Sequence, residues 1–358
     1  EVDRDVDYRI DGLGRAYGPP TGYRGTEPFL LVNEGGGFIA PADAYGLRQV
    51  NASTGESVGK GLGLAFVDLD EDGDLDVIAA NDTTANAAWI NDGAGRFVEQ
   101  AIPLGLAFDR NGMATGAMGI DASHYRCDGI LGIAVGNFAN EPTSLYVHRP
   151  EFPGFVDDSV LEGIAADSRG SLTFGVLFVD LDLDGFDDLV QANGHLEEDI
   201  SIVQPSQAYR QLPQVFRNIC SSDGGATFAL VPAELTGAMA TAVVGRGLAS
   251  GDLDGDGDLD LVITQIDGRP LVLRNDIQEA PRSVRIVLEG AAPNTGAIGA
   301  EVSVGVGDRV MRRVVMPTRS YLSQVSLEVV FGLRDEERLE WVDVRWPNGR
   351  TVREAGPF

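Results

Sequence analysis

One acidic loop pattern occurs three times in the chain, and it constrains the fold more than any other feature. Each copy carries Asp at positions 1, 3, 5 and 9 and Gly at position 6, and the copies begin at Asp68, Asp180 and Asp252. Ca²⁺ takes six to eight oxygen ligands, and alternate side chains of a tight loop can face one ion. Gly at position 6 relieves the sharp turn. The pattern therefore predicts three calcium loops in a repeat protein.

We predict the ligands to be the side chains at positions 1, 3, 5 and 9 and the backbone carbonyl at position 7. The predicted ligands are Asp68, Asp70, Asp72, Asp74 and Asp76 in the first loop, Asp180, Asp182, Asp184, Phe186 and Asp188 in the second, and Asp252, Asp254, Asp256, Asp258 and Asp260 in the third. A single acidic turn in an acidic protein is usually only solvated. Three copies of the same pattern favour a metal site instead.

The loops differ from EF-hands, which have a Glu at position 12 and flanking helices. Position 12 is Ala79, Gln191 or Ile263 in the three copies, and short apolar segments typical of strands flank each loop. Each loop is therefore predicted to join two strands. Calcium in such a loop braces the strands and is structural.

The loops belong to a repeated unit of four short strands. In each unit the first strand ends at the acidic loop, the third strand ends in Asn, and the fourth begins with Phe. Units are predicted over about 63–100, 116–158, 174–231 and 247–275, and a hairpin at 29–38 precedes them. The last unit lacks a clear fourth strand. Repetition of four-stranded units is typical of an all-β chain that forms a β-propeller.

The unit at 116–158 has lost the acidic loop. From His124 to Gly132 its loop reads HYRCDGILG, so three of the four ligand positions are gone and no calcium is expected there. Arg126 is a candidate to take the place of the cation beside Asp128, because a guanidinium can satisfy the same oxygens. Simple loss of the site is an equally good explanation.

Composition narrows the class of partner and the compartment. The net charge is −28, which argues against nucleic acid as a partner, and no run of eighteen apolar residues occurs, so we expect no membrane insertion. Calcium loops of modest affinity predict a secreted or cell-surface protein. Cys127 and Cys220 can pair in an oxidising compartment or serve as small buried residues. Asn51 and Asn81 fit the N-glycosylation pattern.

The C-terminal region, 282–358, has no acidic loop and alternates apolar and polar residues, which predicts a small antiparallel β domain. We expect Trp341 and Trp346 to lie in its core, with a sugar-stacking surface as the alternative. Arg312, Arg313 and Arg319 form a basic face. A solvated strand face is the ordinary explanation, and docking on the acidic repeats is the alternative.

The order of these motifs resembles that of FG-GAP/VCBS-repeat proteins that end in an ASPIC/UnbV domain, including the cartilage acidic protein group. The resemblance is carried by ANDTTANAAWINDGAGRF from Ala80, LFVDLDLDGFDDLVQANGH from Leu177, RGLASGDLDGDGDLDLVITQ from Arg246, NTGAIG from Asn294, SYLSQ from Ser320 and VRWPNG from Val344. It implies a propeller with calcium in the strand-connecting loops, similar to integrin α-subunit propellers. The implied sites are the three intact loops and not 124–132.

The resemblance implies three segments: an irregular lead-in at 1–28, propeller repeats at 29–281 and an ASPIC/UnbV-like domain at 282–358. About four to five blades are visible, whereas such propellers typically close with seven. The hairpin at 29–38 can complete the last blade, further blades can lie on an upstream segment, or another copy can supply strands. An open blade edge is a template for pairing, which makes a homo-oligomer or fibre a physical possibility.

Three functions follow in order of support. The first is an extracellular, non-catalytic binding or adhesion module with a protein or glycan ligand on the loop face. The second is a structural subunit of an extracellular filament. The third is a secreted hydrolase, for which His195, beside Glu197, Glu198 and Asp199, is the candidate residue. No nucleophile elbow, zinc motif or phosphate loop is present, so we predict that the protein is not an enzyme.

Overall fold

The structure is a computed structural model that describes residues 7–41, 43–151, 154–220, 226–277, 282–334 and 337–356. These residues form antiparallel sheets, with only two helices of four residues each, α1 (Ala165–Ser168) and α2 (Ile200–Val203). The all-β prediction is therefore confirmed. Within the described ranges, neither helix has the length that a membrane span requires. Parts of the predicted segments, at 1–6, 278–281 and 357–358, lie outside the described residues.

The N-terminal segment contains two small hairpins. The first pairs β1 (Arg9–Ile10) with β2 (Gly14–Arg15), the second pairs β3 (Val32–Asn33) with β4 (Phe38–Ile39), and 3₁₀ turns cover Pro20–Gly22 and Ala44–Gly46. The predicted strand, turn and strand at 29–38 is thus present. Leu30 and Leu47 of this segment pack against Trp89 of the following sheet. The β3–β4 hairpin remains a two-stranded sheet, so in this structure it does not complete the last blade.

Four sheets follow, each built in chain order. Sheet I contains β5 (Gly61–Val67), β6 (Asp76–Asn81), β7 (Ala87–Asn91) and β8 (Phe97–Glu99), and sheet II contains β9 (Ile120–Ser123), β10 (Gly132–Val135), β11 (Ser144–His148) and β12 (Phe155–Asp157). Sheet III contains β13 (Thr173–Val179), β14 (Asp188–Asn193), β15 (Gln214–Asn218) and β16 (Phe228–Leu230). Sheet IV contains β17 (Gly245–Gly251), β18 (Asp260–Gln265) and β19 (Leu271–Leu273). Two further 3₁₀ turns, Ala233–Leu235 and Gly237–Ala240, precede sheet IV. Among the described residues, sheet IV has no fourth strand.

Consecutive sheets pack face to face through apolar cores. Ile78 and Ala88 of sheet I meet Ile133 of sheet II in one core. Equivalent cores lie between sheets II and III and between sheets III and IV. The first strands β5, β9, β13 and β17 are neighbours in that order. Sheets I to IV therefore pack in chain order with their first strands side by side, although the described residues do not form a closed ring.

The C-terminal domain has its own core around Val302, Val304 and Phe331. Its strands are β20 (Arg282–Ile286), β21 (Glu301–Val306), β22 (Arg309–Val314), β23 (Thr318–Arg319), β24 (Ser323–Gln324), β25 (Val329–Leu333), β26 (Trp341–Arg345) and β27 (Thr351–Ala355). Four of them form a sheet in the order β22-β21-β26-β27, and β20 pairs with β25. Trp346 packs against the domain core and Trp341 lies under the Arg353 guanidinium, so both rings are half-buried.

The β23–β24 hairpin leaves this domain and lies across the first strands of the four sheets. Ser320 donates its backbone N–H to the carbonyl of Ile120 on β9, and its hydroxyl accepts the N–H of Val176 on β13. The ring of Tyr321 packs edge-on against Phe174, with 5.0 Å between centroids. Ser323 accepts the N–H of Leu248 on β17. The SYLSQ segment is therefore one of the elements that anchor the C-terminal domain to the sheets.

Candidate metal centres

Each acidic loop connects the first and second strands of its sheet, as the sequence predicted, and each brings three carboxylates together. One oxygen from each of three aspartates lies within 4.8 Å of the others in every loop. The clusters are Asp68, Asp70 and Asp76 in sheet I, Asp180, Asp182 and Asp184 in sheet III, and Asp252, Asp254 and Asp260 in sheet IV. Three oxygens at this separation can bind one hard cation.

Left-handed backbone at two positions forms the turn in all three loops. Position 6 is Gly73, Gly185 or Gly257, with φ between 93° and 103°. Position 4 also has positive φ, at 62° for Glu71 and 54° for Leu183. Side chains other than Gly rarely adopt this conformation. The alternation of ordinary and left-handed residues is what turns alternate carboxylates toward one centre.

The aspartate at position 9 braces the loop as well as contributing an oxygen. Asp76 accepts the backbone N–H of Leu69 at 2.7 Å and that of Asn91 at 2.8 Å. Asp260 accepts the N–H of Leu253 at 2.7 Å and that of Asn275 at 2.8 Å. Asp188 bonds Leu181 and Asn218 in the same way. The sequence pattern predicted position 9 only as a metal ligand and gave no sign of this brace.

The asparagine at the end of the third strand completes the brace. The side-chain amides of Asn91, Asn218 and Asn275 donate to the carbonyl of the residue just before position 9. Asn218 and Asn275 also donate to a carbonyl in the first loop of the preceding sheet, that of Tyr125 and Leu181 respectively. The sequence pattern predicted this Asn only as the end of the third strand. Its position opposite each loop shows that it also ties neighbouring sheets together.

The remaining predicted ligands lie outside the three-carboxylate clusters. At position 5, Asp72 and Asp256 accept backbone N–H groups of their own loops, from Asp74 and Asp258. Asp188 acts as the brace described above. Phe186 at position 7 is 8% exposed and lies against the C-terminal domain, where the guanidinium of Arg309 is 5.1 Å from its ring centroid.

Each loop contains a buried carboxylate oxygen that accepts no hydrogen bond. On the clustered aspartates these oxygens are Asp68 Oδ1, Asp182 Oδ1 and Asp252 Oδ2, and Asp258 Oδ1 is a further one in the third loop. The Asp252 side chain is only 5% exposed, and its nearest cation, Arg285, is 3.4 Å away. A buried carboxylate oxygen without a donor is unfavourable unless an ion or proton satisfies it. Every loop thus has such an oxygen on a cluster member, which fits a bound cation.

Electrostatics agree with this fit. Burial, with a smaller contribution from Asp70 and Asp68, raises the pKa of Asp76 to about 7. Burial, together with Asp187 and Asp184, raises the pKa of Asp180 to about 7 despite the opposing effect of Arg313. The pKa of Asp188 is raised well above its ordinary value, mainly by burial. A divalent cation would reverse these shifts, because it favours the ionised carboxylate.

The C-terminal domain covers the acidic loops. Arg345 Nη2 lies 2.9 Å from Asp68 Oδ2, and Arg309 Nη1 donates to the carbonyl of Asp184 at 3.1 Å. The hydroxyl of Ser283 donates to the carbonyl of Gly257 at 2.9 Å. The loop face, which was the expected ligand surface, is therefore partly covered by the protein's own domain.

The basic face of the C-terminal domain docks on acidic side chains of the sheets, which was one of the two alternatives. Arg319 Nε donates to Asp121 Oδ1 at 2.8 Å, and Asp121 is buried. Arg313 Nη2 lies 2.7 Å from Asp187 Oδ1. Arg312 lines the adjoining crevice beside His124.

The loop of sheet II is built without a carboxylate cluster. Arg126 lies 3.2 Å from Asp128 and 3.0 Å from the buried Glu162. A disulfide joins Cys127 to Cys220, which links this loop to the segment after β15 of sheet III, with Cα atoms 5.7 Å apart. The guanidinium thus contacts Asp128 as proposed, and the sequence had left the cysteine pairing open.

His195 serves the local backbone. Its Nδ1 accepts the N–H of Glu197 at 3.0 Å, its carbonyl accepts Arg246 Nη2 at 3.1 Å, and its ring meets the edge of Phe138. The side chain is 2% exposed, and burial lowers its pKa. Glu198 and Asp199 are exposed. The arrangement is that of a loop histidine satisfying its neighbours.

Comparison with known families identifies the C-terminal region. Residues 290–356 match the family described as ASPIC and UnbV. This confirms the resemblance for the C-terminal domain. Residues 290–356 form an ASPIC/UnbV-like domain. The FG-GAP/VCBS assignment of the preceding sheets is not confirmed by a family match, and no curated protein sequence matches the chain.

Solved structures with partial similarity are β-rich. The V. cholerae biofilm matrix protein Bap1 has a TM-score of 0.34 and 12% identity over 86% of this chain, which spans 61% of that protein. An exo-β-1,3-galactanase from Phanerochaete chrysosporium has a TM-score of 0.35 and 8% identity, covering 87% of this chain and 97% of that one. An Agrocybe aegerita lectin has a TM-score of 0.32 and 16% identity, covering 70% and 75%.

Proposed function

We propose that this chain is part of an extracellular calcium-binding protein with FG-GAP/VCBS-type β-propeller blades, in which calcium is structural and the protein acts as a non-catalytic binding module. Three observations support the blades. Sheets I to III have four antiparallel strands in chain order, consecutive sheets pack face to face, and their first strands are neighbours. This is the local geometry of a propeller.

The observation that carries the calcium proposal is the buried oxygen in each acidic loop. Asp68, Asp182 and Asp252 each present one carboxylate oxygen without a hydrogen-bond donor beside two further carboxylates. All-oxygen clusters suit Ca²⁺, since it accepts irregular geometry and six to eight oxygens. The loops would supply three sites per chain. Carbonyls and water would complete each coordination shell.

The disulfide and the acidic loops support an extracellular location. Cys127 and Cys220 are bonded, and disulfides persist mainly in oxidising compartments. Loops of this kind fill at the calcium concentrations found outside cells. The net charge of −28 does not favour binding to nucleic acid.

We propose a protein ligand rather than a glycan, bound away from the loop face. A cleft of about 900 Å³ lies between the N-terminal segment, β5 and the β23–β24 hairpin. Phe29 and Leu322 line it and are 86% and 83% exposed, and Leu64 on β5 is also exposed. Exposed apolar side chains around a cleft are typical of surfaces that bind protein.

Removal of the cation tests the proposal. In 1 mM Ca²⁺ the protein should melt more than about 10 °C above its melting temperature in excess EDTA, since three filled sites each add a few kcal/mol. The triple variant Asp70→Asn, Asp182→Asn, Asp254→Asn loses one ligand per loop and should lose this difference. Equal melting of the wild type in Ca²⁺ and EDTA would contradict the calcium proposal.

A second candidate is a self-assembling subunit of an extracellular filament, and sheet IV favours it. Its third strand, β19, is the last strand of the sheet among the described residues, so one edge is available for pairing. The β4 strand carries Phe38, which is 68% exposed and begins its strand as Phe97, Phe155 and Phe228 begin theirs. Size-exclusion chromatography with light scattering decides between the binding module and the filament subunit. A monomer at high concentration rejects the filament, whereas Phe38-dependent multimers support it.

A further inference from the structure

Arg345 of the C-terminal domain and a cation would use different oxygens of one aspartate. Arg345 Nη2 lies 2.9 Å from Asp68 Oδ2, and the N–H of Gly73 donates to the same oxygen at 3.0 Å. The other oxygen, Oδ1, is buried and accepts no hydrogen bond. Arg345 itself is held within its own domain by Glu301, at 3.4 Å. The guanidinium thus fixes the orientation of Asp68 and leaves Oδ1 for the cluster with Asp70 and Asp76.

The second loop has a similar arrangement at a different ligand, Asp182 at position 3, and from a different source. Asp182 Oδ2 accepts Arg217 Nε at 2.7 Å, and Asp182 Oδ1 is buried without a donor. Arg217 belongs to β15, so sheet III orients its own ligand. In the third loop the C-terminal Arg285 stands farther from its aspartate, at 3.4 Å, outside good hydrogen-bond geometry. The first loop therefore depends on another domain for what the second loop has within its own sheet.

We infer that Arg345 is a positioning residue for the first cation loop, so that cation binding there and docking of the C-terminal domain strengthen each other. The inference rests on the proposed calcium function. Groups that hold the second oxygen of a metal ligand typically raise metal affinity 10- to 100-fold. Because coupling between two binding events is reciprocal, the filled loop must also hold the domain more tightly.

The direct Coulomb interaction between the guanidinium and a divalent ion is repulsive, so the favourable coupling must come from the orientation of Asp68, and the charge of the loop limits the repulsion. The first loop carries five aspartates, Asp68, Asp70, Asp72, Asp74 and Asp76, so a divalent ion leaves its net charge negative. Arg345 reduces that excess and faces the side of Asp68 away from the orphaned oxygen. The guanidinium therefore remains attracted to the filled loop.

The experiment is hydrogen exchange with mass spectrometry across a Ca²⁺ titration, because it reports each loop separately. In Arg345→Ala, the Ca²⁺ concentration that half-protects residues 68–76 should rise 10- to 100-fold, while that for 180–188 stays unchanged. Arg217→Ala is the matched control and should give the opposite pattern. Arg350→Ala, an exposed arginine five residues away, should change neither loop.

A second variant and a reciprocal measurement keep the inference testable if Arg345→Ala fails to fold. Arg345→Lys keeps the charge but loses the guanidinium fork, and it should give a smaller shift at 68–76. The reciprocal measurement uses Asp70→Asn, which removes a ligand that Arg345 does not contact. At a Ca²⁺ concentration that saturates the other two loops, the backbone amides of residues 341–345 should exchange at least about 5-fold faster in this variant than in the wild type.

The outcomes separate the inference from the calcium proposal. If all three wild-type loops gain protection with Ca²⁺ but Arg345→Ala and Arg345→Lys leave the 68–76 midpoint unchanged, the coupling is wrong and calcium binding stands. A shift of all three loops together in Arg345→Ala also overturns it, because the effect is then global. If no wild-type loop responds to Ca²⁺, both fail.

Discussion

Sheets I and II place a loop at the same point, between the first and second strands, yet stabilise it in different ways. In sheet I, Asp76 at position 9 bonds two backbone N–H groups and faces a cluster with two further aspartates. In sheet II, position 9 is Gly132, and a Cβ there would lie 2.2 Å from the ring of Tyr125. An aromatic side chain thus occupies the space that an acidic side chain fills in the other loop.

The difference shows what the loop requires. Tyr125 is fully buried and stacks on Phe178 and Phe228, with centroids 5.3 and 5.1 Å away. The backbone bond from His148 to the carbonyl of Leu131 ties the third strand to the loop of sheet II, and no carboxylate is needed. The turn therefore needs a connection to the third strand and a compact filling. The acidic loop of sheet I also needs a cation, whereas the loop of sheet II, filled by Tyr125, is stabilised by burial and the disulfide.

For the loop of sheet II, removal of the disulfide should cause the largest decrease in the free energy of unfolding. Cys127→Ser with Cys220→Ser removes a cross-link that spans 93 residues. Loop closure of this length is worth about 4 kcal/mol of unfolding free energy. Urea denaturation in Ca²⁺ measures the loss. A change below about 1 kcal/mol would mean that Tyr125 and Arg126 hold the loop alone. The Ca²⁺ dependence of melting should persist in the variant.

Breaking the brace in sheet I should have the next largest effect. In chelator, Asp76→Asn should lower the unfolding free energy by about 2–3 kcal/mol, because an amide can accept from only one of the Leu69 and Asn91 N–H groups. The exposed Asp72→Asn in the same loop is the matched control and should change it by less than about 0.5 kcal/mol. Equal effects of the two substitutions would show that position 9 has no special role.

The smallest effect should come from pH on the cation-free protein. Burial raises the pKa of Asp76 and that of Asp180 from 3.8 in the unfolded chain to about 7 in the folded protein. Protonation of these groups therefore stabilises the folded protein fully below pH 3.8, and this contribution to the free energy of unfolding is lost as pH rises through 7. From about pH 7 to 8.5 the remaining loss from these two groups should be under about 1 kcal/mol, and Asp188, whose pKa is also raised, changes stability in the same direction. Urea denaturation in chelator at several pH values measures it. Stability that increases over this window would contradict the pKa directions, and Ca²⁺ should abolish the trend.

Local patterns predicted the parts of the molecule that depend on neighbouring residues. Alternating aspartates located the three loops, and the Asn and Phe pattern located the outer hairpins of sheets I and III. The position 9 brace was missed because its partner, such as Asn91, lies on a different strand. The Cys127 and Cys220 pairing stayed open because two cysteines in a large domain also occur as buried thiols.

The features that the sequence did not predict depend on contacts between distant parts of the chain. The SYLSQ segment was recognised only as a motif, because Tyr321 meets Phe174 and Ser320 meets Ile120 from distant parts of the chain. Arg345 likewise lies 277 residues from Asp68. The acidic loops looked exposed and available for a ligand, since nothing in their own sequence indicates that another domain covers them. The basic face of that domain was the one signal that pointed to the contact.

Anomalous diffraction from crystals grown in Ca²⁺ tests the central claim most directly, because it locates the ions. We expect one peak in each acidic loop, about 2.3–2.6 Å from Asp68 Oδ1, Asp182 Oδ1 and Asp252 Oδ2, and no peak in the loop at 124–132. Absence of peaks in the three acidic loops at millimolar Ca²⁺ would contradict it. A peak at 124–132 would contradict the distinction between the two kinds of loop.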